Sequence, residues 1–172
     1  SKGGHTKQYA TWLKEETQAD LFECEKISIE KLLGYDLIVI AGGVYSNSLN
    51  GMSFFKKNYS VLKFKKVIFV AVGILPVKQE MEKVIIDKNY TDEMKNKYPL
   101  FQLRSGIDKS KLTIADKLLV AAWRAKINKI EDRTNDDIML LGVIDGMTDF
   151  TKKENINYLV EYINKGRWKL TM

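Results

Sequence analysis

Ser1-Lys2-Gly3-Gly4-His5-Thr6 opens the chain and runs directly into a helical pattern. Two glycines flanked by hydroxyl residues allow a backbone to wrap its N–H groups around a phosphate, and a helix starting just beyond adds the positive end of its dipole. On its own a Gly-Gly pair at a chain start more often marks a loose terminus. The strands and loops downstream of it give the turn its weight.

Residues 6–19 put Ala10, Leu13 and Thr17 on one side and Lys7, Lys14, Glu15 and Gln18 elsewhere, which predicts an amphipathic helix opening at Thr6. Residues 21–24 are short and alternate with acids, and predict a strand containing Cys24. Ser28 can cap a short helix through Leu33, stopped by Gly34. Leu37-Ile38-Val39-Ile40-Ala41 is apolar on both faces, as a strand covered by helices on both sides must be. The same grammar then repeats. Residues 42–51 predict a loop, 52–61 a helix, and Val67-Ile68-Phe69-Val70-Ala71-Val72 a second doubly buried strand. Helical patterns over 78–86 and 91–97, broken near Asn89, precede a strand over 100–104 after Pro99. Alternating helices and strands with short connections predict an α/β fold with a parallel sheet and right-handed crossovers. An apolar strand usually feeds such a glycine turn, so a first strand upstream of Ser1 is expected to be missing from this sequence.

Between Gly106 and Phe150 the pattern changes. Residues 111–130 predict one long helix with a narrow polar ridge of Thr113, Lys117, Arg124 and Asn128. Leu112, Ile114, Leu118, Leu119, Val120, Ala122, Trp123, Ala125 and Ile127 cover most of the remaining circumference, more apolar surface than one packing face requires. Thr134 or Asn135 caps a second helix through Ile144, and Thr151-Lys152-Lys153-Glu154 matches a capping box opening a closing helix with Ile156, Leu159, Val160 and Ile163 inward, ended by Gly166. The organisation is a single domain over 1–172 with a helical insertion over 106–150.

The chain's 172 residues give room for one ordinary domain, and its 45% hydrophobic and 29% charged content is that of a globular protein. The single cysteine excludes an internal disulfide, and with one histidine as well a dedicated transition-metal site is disfavoured. A net charge of +6 favours acidic partners, anionic cofactors or a lipid surface. Aromatic residues do not interleave with the basic ones as a nucleic-acid stacking platform requires, so nucleic acid is not an expected partner. No nucleophile, base and orienting group stand together, which disfavours a hydrolase.

Three of these features together resemble the flavodoxin-like family, a three-layer α/β/α fold with a parallel five-stranded sheet. Ser1 to Thr6 matches that family's hydroxyl-x-x-Gly-x-Thr phosphate loop. Tyr35-Asp36 feeds a buried strand that opens into Gly42-Gly43-Val44-Tyr45, and the next buried strand opens at Gly73. Within the family the chain is most similar to the branch that includes bacterial menaquinone-dependent protoporphyrinogen oxidase, which inserts a helical segment before its last helix. Asp116-Lys117-Leu118-Leu119-Val120 through Lys126-Ile127, followed by Thr148-Asp149-Phe150, carries that likeness.

The resemblance implies FMN as cofactor, bound outside the carboxyl ends of the strands. It places the phosphate on Ser1, Lys2, Gly3, Gly4, His5 and Thr6, with His5 facing solvent. The flavin ring falls against Gly43, Val44, Tyr45, Ser46 and Asn47 on one side and Gly73, Ile74 and Leu75 on the other, with residues 104–108 as a third edge. Trp12, Trp123 and Trp168 are assigned to helix packing and Cys24 to burial. The resemblance further implies electron transfer or flavin-dependent oxidoreduction, with a redox protein or a quinone-type acceptor as partner, in the cytoplasm or at the membrane periphery. If the insertion helix is a contact surface, it faces a second copy, a membrane or a redox protein. The rival expectation is a flavodoxin-like binding or regulatory module without cofactor.

Overall fold

The computed structural model describes residues 3–166. Ser1, Lys2 and Trp168, to which the sequence assigns roles, lie outside the described residues. Helix α1 (His5–Thr17) opens at Gly4, whose φ of 86° is open to glycine at little cost, and among the described residues no side chain caps it. It buries Thr6, Tyr9 and Leu13. Residues 21–24 do not form the expected strand. They belong to a loop that turns at Glu23, where the carbonyl accepts from Lys26 N at 2.9 Å, and Leu21 and Phe22 are exposed. Alternation alone makes no strand without a neighbour, and among the described residues none pairs with this stretch.

Helix α2 (Ile29–Leu33) starts at Ser28, whose hydroxyl accepts from Lys31 N, and ends at Gly34. Strand β1 (Leu37–Tyr45) continues four residues beyond the apolar run, correcting the loop expected from Gly42. It turns back through Ser46 and Asn47, both at positive φ (47° and 63°), into the short strand β2 (Ser48–Leu49). Two consecutive positive φ values make a primed turn, the kind that matches strand twist in a hairpin. Helices α3 (Met52–Lys57) and α4 (Tyr59–Leu62) replace one expected helix and break at Asn58. The Asn58 side chain donates to Phe54 O there and competes with helix continuation. Strand β3 (Lys66–Gly73), helices α5 (Gln79–Asn89) and α6 (Asp92–Lys95) and strand β4 (Leu100–Arg104) follow as the periodicity predicts.

Among the described residues the sheet has four strands in the order β2-β1-β3-β4, and this corrects the five-stranded parallel sheet. β1, β3 and β4 run parallel, with Ile40 opposite Phe69 and Val72 opposite Leu103, while β2 is antiparallel to β1. Side chains alternate between two cores, as a doubly covered sheet requires. Ile38, Ile40, Val67, Phe69, Ala71 and Leu100 pack on one face against Leu32, Phe55, Leu62, Ile85 and Met94. On the other face Ile68, Val70, Val72 and Leu103 meet Tyr9, Leu13, Ile156 and Leu159. Three layers result.

Helices α7 (Ile114–Asn128) and α8 (Asn135–Ile144) form the insertion, each opened by a complete capping box, Thr113 with Asp116 and Thr134 with Asp137. A short helical turn over Lys109–Lys111 precedes α7, so the helix begins later than its pattern suggests. Gly106 and Asp149, near the two ends of the insertion, are in contact, since a Cβ at Gly106 would lie 2.7 Å from the Asp149 carboxyl carbon. The Thr151 to Glu154 match does not open the closing helix. Thr151 N instead donates to Asp149 Oδ1 at 2.8 Å, a short turn covers Lys153–Ile156, and α9 (Asn157–Lys165) begins without a side-chain cap and stops at Gly166. Among the described residues no helix is long and apolar enough to cross a membrane.

Candidate functional site

Three strands running the same way must release their following loops at one edge, and here β1, β3 and β4 deliver Tyr45, Gly73 and Arg104 to the edge where α1 begins. A cleft opens between them. Its floor and near walls come from Gly3, His5 and Thr6 at the start of α1, from Gly43 to Ser46 at the end of β1, and from Val72, Gly73 and Ile74 at the end of β3. Ser105 to Asp108, following β4, form a further edge. A second cleft adjoins it across Gly73 and Ile74, sharing Val44, Ser46 and Trp123 and adding Asn47 and Leu75. The described members of the predicted set therefore collect at one edge of the sheet, with Asn47 and Leu75 in the neighbouring hollow and Gly4 beside the first.

Backbone hydrogen bonds and buried side chains hold this edge in place. Ser105 N donates to Gly73 O at 2.8 Å and ties the loops after β3 and β4 together. Arg104 Nε donates to Ile74 O at 3.4 Å while its guanidinium carbon lies 3.7 Å from the centre of the Phe150 ring, and burial pulls its pKa down. Tyr9, buried in α1, donates to Arg104 O at 2.5 Å and accepts from Asn155 Nδ2 at 2.6 Å. It joins the first helix, the last parallel strand and the closing segment at one hydroxyl, whose pKa burial raises.

The hairpin wall is held by Asn89, a buried residue of α5. Its Oδ1 accepts from Leu49 N at 2.8 Å, and its Nδ2 donates to Asn47 O and Ile85 O, each at 2.7 Å. Asn89→Ala leaves a buried N–H and two carbonyls without that partner, so it is expected to cost about 1–3 kcal/mol. The Leu49 amide should lose its protection more than the β3 amides, which hydrogen exchange measures. Equal protection at Leu49 in the variant would count against this role for Asn89.

His5 departs from expectation. It lies in the first turn of α1 with its side chain 18% exposed, Nδ1 2.9 Å from Thr151 Oγ1 and 3.7 Å from Asp149 Oδ2. Its other nitrogen, Nε2, is buried without a hydrogen-bond partner among the described residues and would sit 3.2 Å from a Cβ on Gly3. A buried polar atom without a partner beside an uncapped helix start is a place prepared for a polar ligand.

One wall of the cleft is absent from the set expected on sequence. Leu112, Asp116, Leu119, Val120 and Trp123 of the insertion line the cleft, so Trp123 does more than pack helix on helix. Leu112 precedes α7, and helical spacing puts Asp116, Leu119, Val120 and Trp123 on one face of that helix, with Ile127 continuing it inward, and Ile114 and Leu118 on the opposite face at 80% and 68% exposure. The excess apolar circumference thus resolves into two faces, one over the cleft and one toward solvent. Periodicity carries the signal but not which face meets the domain. Cys24 is partly buried and its thiol pKa is pushed up by that burial, which makes it a poor nucleophile.

The model of a family described as "Flavodoxin domain" matches residues 1–137 of the chain. Among curated proteins, none matches.

Proposed function

The chain belongs to the flavodoxin domain family, and on that premise we propose that the cleft binds FMN and that the protein moves electrons through it. The observation that carries this reading is the meeting, among the described residues, of a helix start without a side-chain cap, a buried imidazole nitrogen without a hydrogen-bond partner and three strand-end loops in one largely apolar cleft. Each part answers a different portion of the ligand. The first-turn N–H groups of α1 and the buried Thr6 suit a phosphate, with the dipole contributing roughly half a positive charge. Apolar walls from Val44, Ile74, Leu119, Val120 and Trp123, with Tyr45 at the rim, suit a flat ring system. Gly73 has no side chain, so backbone can approach the ring edge there.

FMN, when bound, supplies the redox chemistry, and the protein supplies binding, orientation and electrostatics. The α7 face excludes water from one side of the cleft, while the solvent-facing rim at Tyr45, 37% exposed, leaves a path for an electron partner. We place the chain near the protoporphyrinogen oxidase-like branch because its helical insertion walls the cleft, with a redox protein or a quinone-type acceptor as partner.

The test is uptake of flavin. Purified protein titrated with FMN should quench flavin fluorescence saturably and turn yellow. A protein that stays colourless and leaves the fluorescence unchanged would favour the rival, a flavodoxin-like module without cofactor. For the loaded protein, reduction of the flavin by a porphyrinogen and its reoxidation by a quinone would favour an oxidase, and turnover with neither would favour a carrier.

A further inference from the structure

The insertion also brings a charge to the cleft. Lys111 ends the short turn before α7, and among the described residues lining the cleft it is the only lysine or arginine. Its ammonium reaches over the opening of α1, where a Cβ on Gly4 would lie 3.7 Å from Nζ. The same Nζ is 2.8 Å from Asp108 Oδ2, and the Asp108 carboxylate also accepts from Ser110 N at 3.0 Å and Ser110 Oγ at 2.6 Å. Lys111 and Ser110 together hold the Asp108 carboxyl down to about 2, so the carboxylate is charged at any working pH and keeps the lysine stem beside the glycine turn. Asp116, the other acid lining the cleft, is turned to the hydroxyl and N–H of Thr113.

We propose that Lys111 is a phosphate-binding residue supplied by the insertion, and that it makes the cleft select a phosphorylated flavin over the same flavin without its phosphate. This rests on the reading of the cleft as a flavin site. A phosphate monoester at the start of α1 is met by backbone N–H groups and His5 Nε2 from the domain, and by the Lys111 ammonium from the insertion. The lysine is a flexible point charge, 54% exposed, able to swing from one carboxylate oxygen toward a dianion a few ångströms away. Its contribution is a charge-assisted contact made only when the phosphate is present. Ligand binding then fastens α7 to the domain at the same contact.

The experiment measures dissociation constants of FMN and riboflavin by fluorescence for the full chain, Lys111→Gln, Lys111→Arg and Lys117→Gln, with inorganic phosphate as a competitor. Lys117 serves as the control because it carries the same charge on α7 but does not line the cleft. Lys111→Gln should weaken FMN roughly tenfold and leave riboflavin unchanged. Arginine at this position should restore most of the loss, Lys117→Gln should change neither, and inorganic phosphate should compete with FMN less well after Lys111→Gln. If FMN binds and Lys111→Gln weakens both flavins equally, or neither, the cofactor reading stands and the role of Lys111 is overturned. If the unaltered chain takes up neither flavin, the reading of the cleft fails and this inference fails with it.

Discussion

Gly42→Val is expected to abolish the folded state under ordinary conditions, with a cost of about 4 kcal/mol or more. Gly42 sits in the parallel ladder opposite Ala71, and the chain returning from the hairpin crosses directly over it. A Cβ there would lie 1.8 Å from the backbone oxygen of Asn50, and Asn50 is itself held by its N–H to Gly43 O at 3.0 Å. No rotamer relieves a clash between a Cβ and main chain. Relief would require moving β1 out of register or unpinning the hairpin, each of which disrupts the core packed on Ile38 and Ile40. Marginal stabilities of about 5–15 kcal/mol leave little reserve for that. Chemical denaturation measures the loss, and a variant within about 1 kcal/mol of the parent would show that the hairpin yields.

Gly4→Val should instead spare the fold and remove FMN. At φ 86° a β-branched residue is strained by about 1–3 kcal/mol, and the least disruptive release is to reshape the turn before α1. Reshaping redirects the first-turn N–H groups, and the added side chain points at Lys111 Nζ. A loss of about two orders of magnitude in FMN affinity is expected, against a modest fall in melting temperature. Unchanged affinity would show that the opening turn is not where phosphate binds.

Much of this architecture was legible because doubly buried strands are hard to mistake. The runs from Leu37, Val67 and Leu100 each became a parallel strand. The hairpin was not legible, since Gly42-Gly43 reads locally as a loop, and only the fold shows the returning chain at Asn50 occupying the space that Gly42's missing side chain leaves. Residues 21–24 show the converse error, a good local pattern with no strand beside it to bond. The candidate site followed the same division. Glycine loops at the ends of successive strands must gather at one edge, so the sequence could place them together. The contribution of α7 could not be placed, because two apolar faces on one helix look alike until the domain covers one. Trp123 and Lys111 depend on that choice. His5 is enclosed rather than solvent-facing for a related reason, as Thr151 and Asp149, the groups beside it, lie far away in sequence.

The contact between Gly106 and Asp149 means that the insertion leaves and rejoins the domain at a single point. A segment with adjacent ends adds a closure cost that grows only with the logarithm of its length, and it places no demand on the register of the sheet. The domain can therefore carry a longer, shorter or different excursion there without relearning how to fold. Since that excursion walls the cleft, the chain has a place where what the cleft admits can diverge while the scaffold stays as it is.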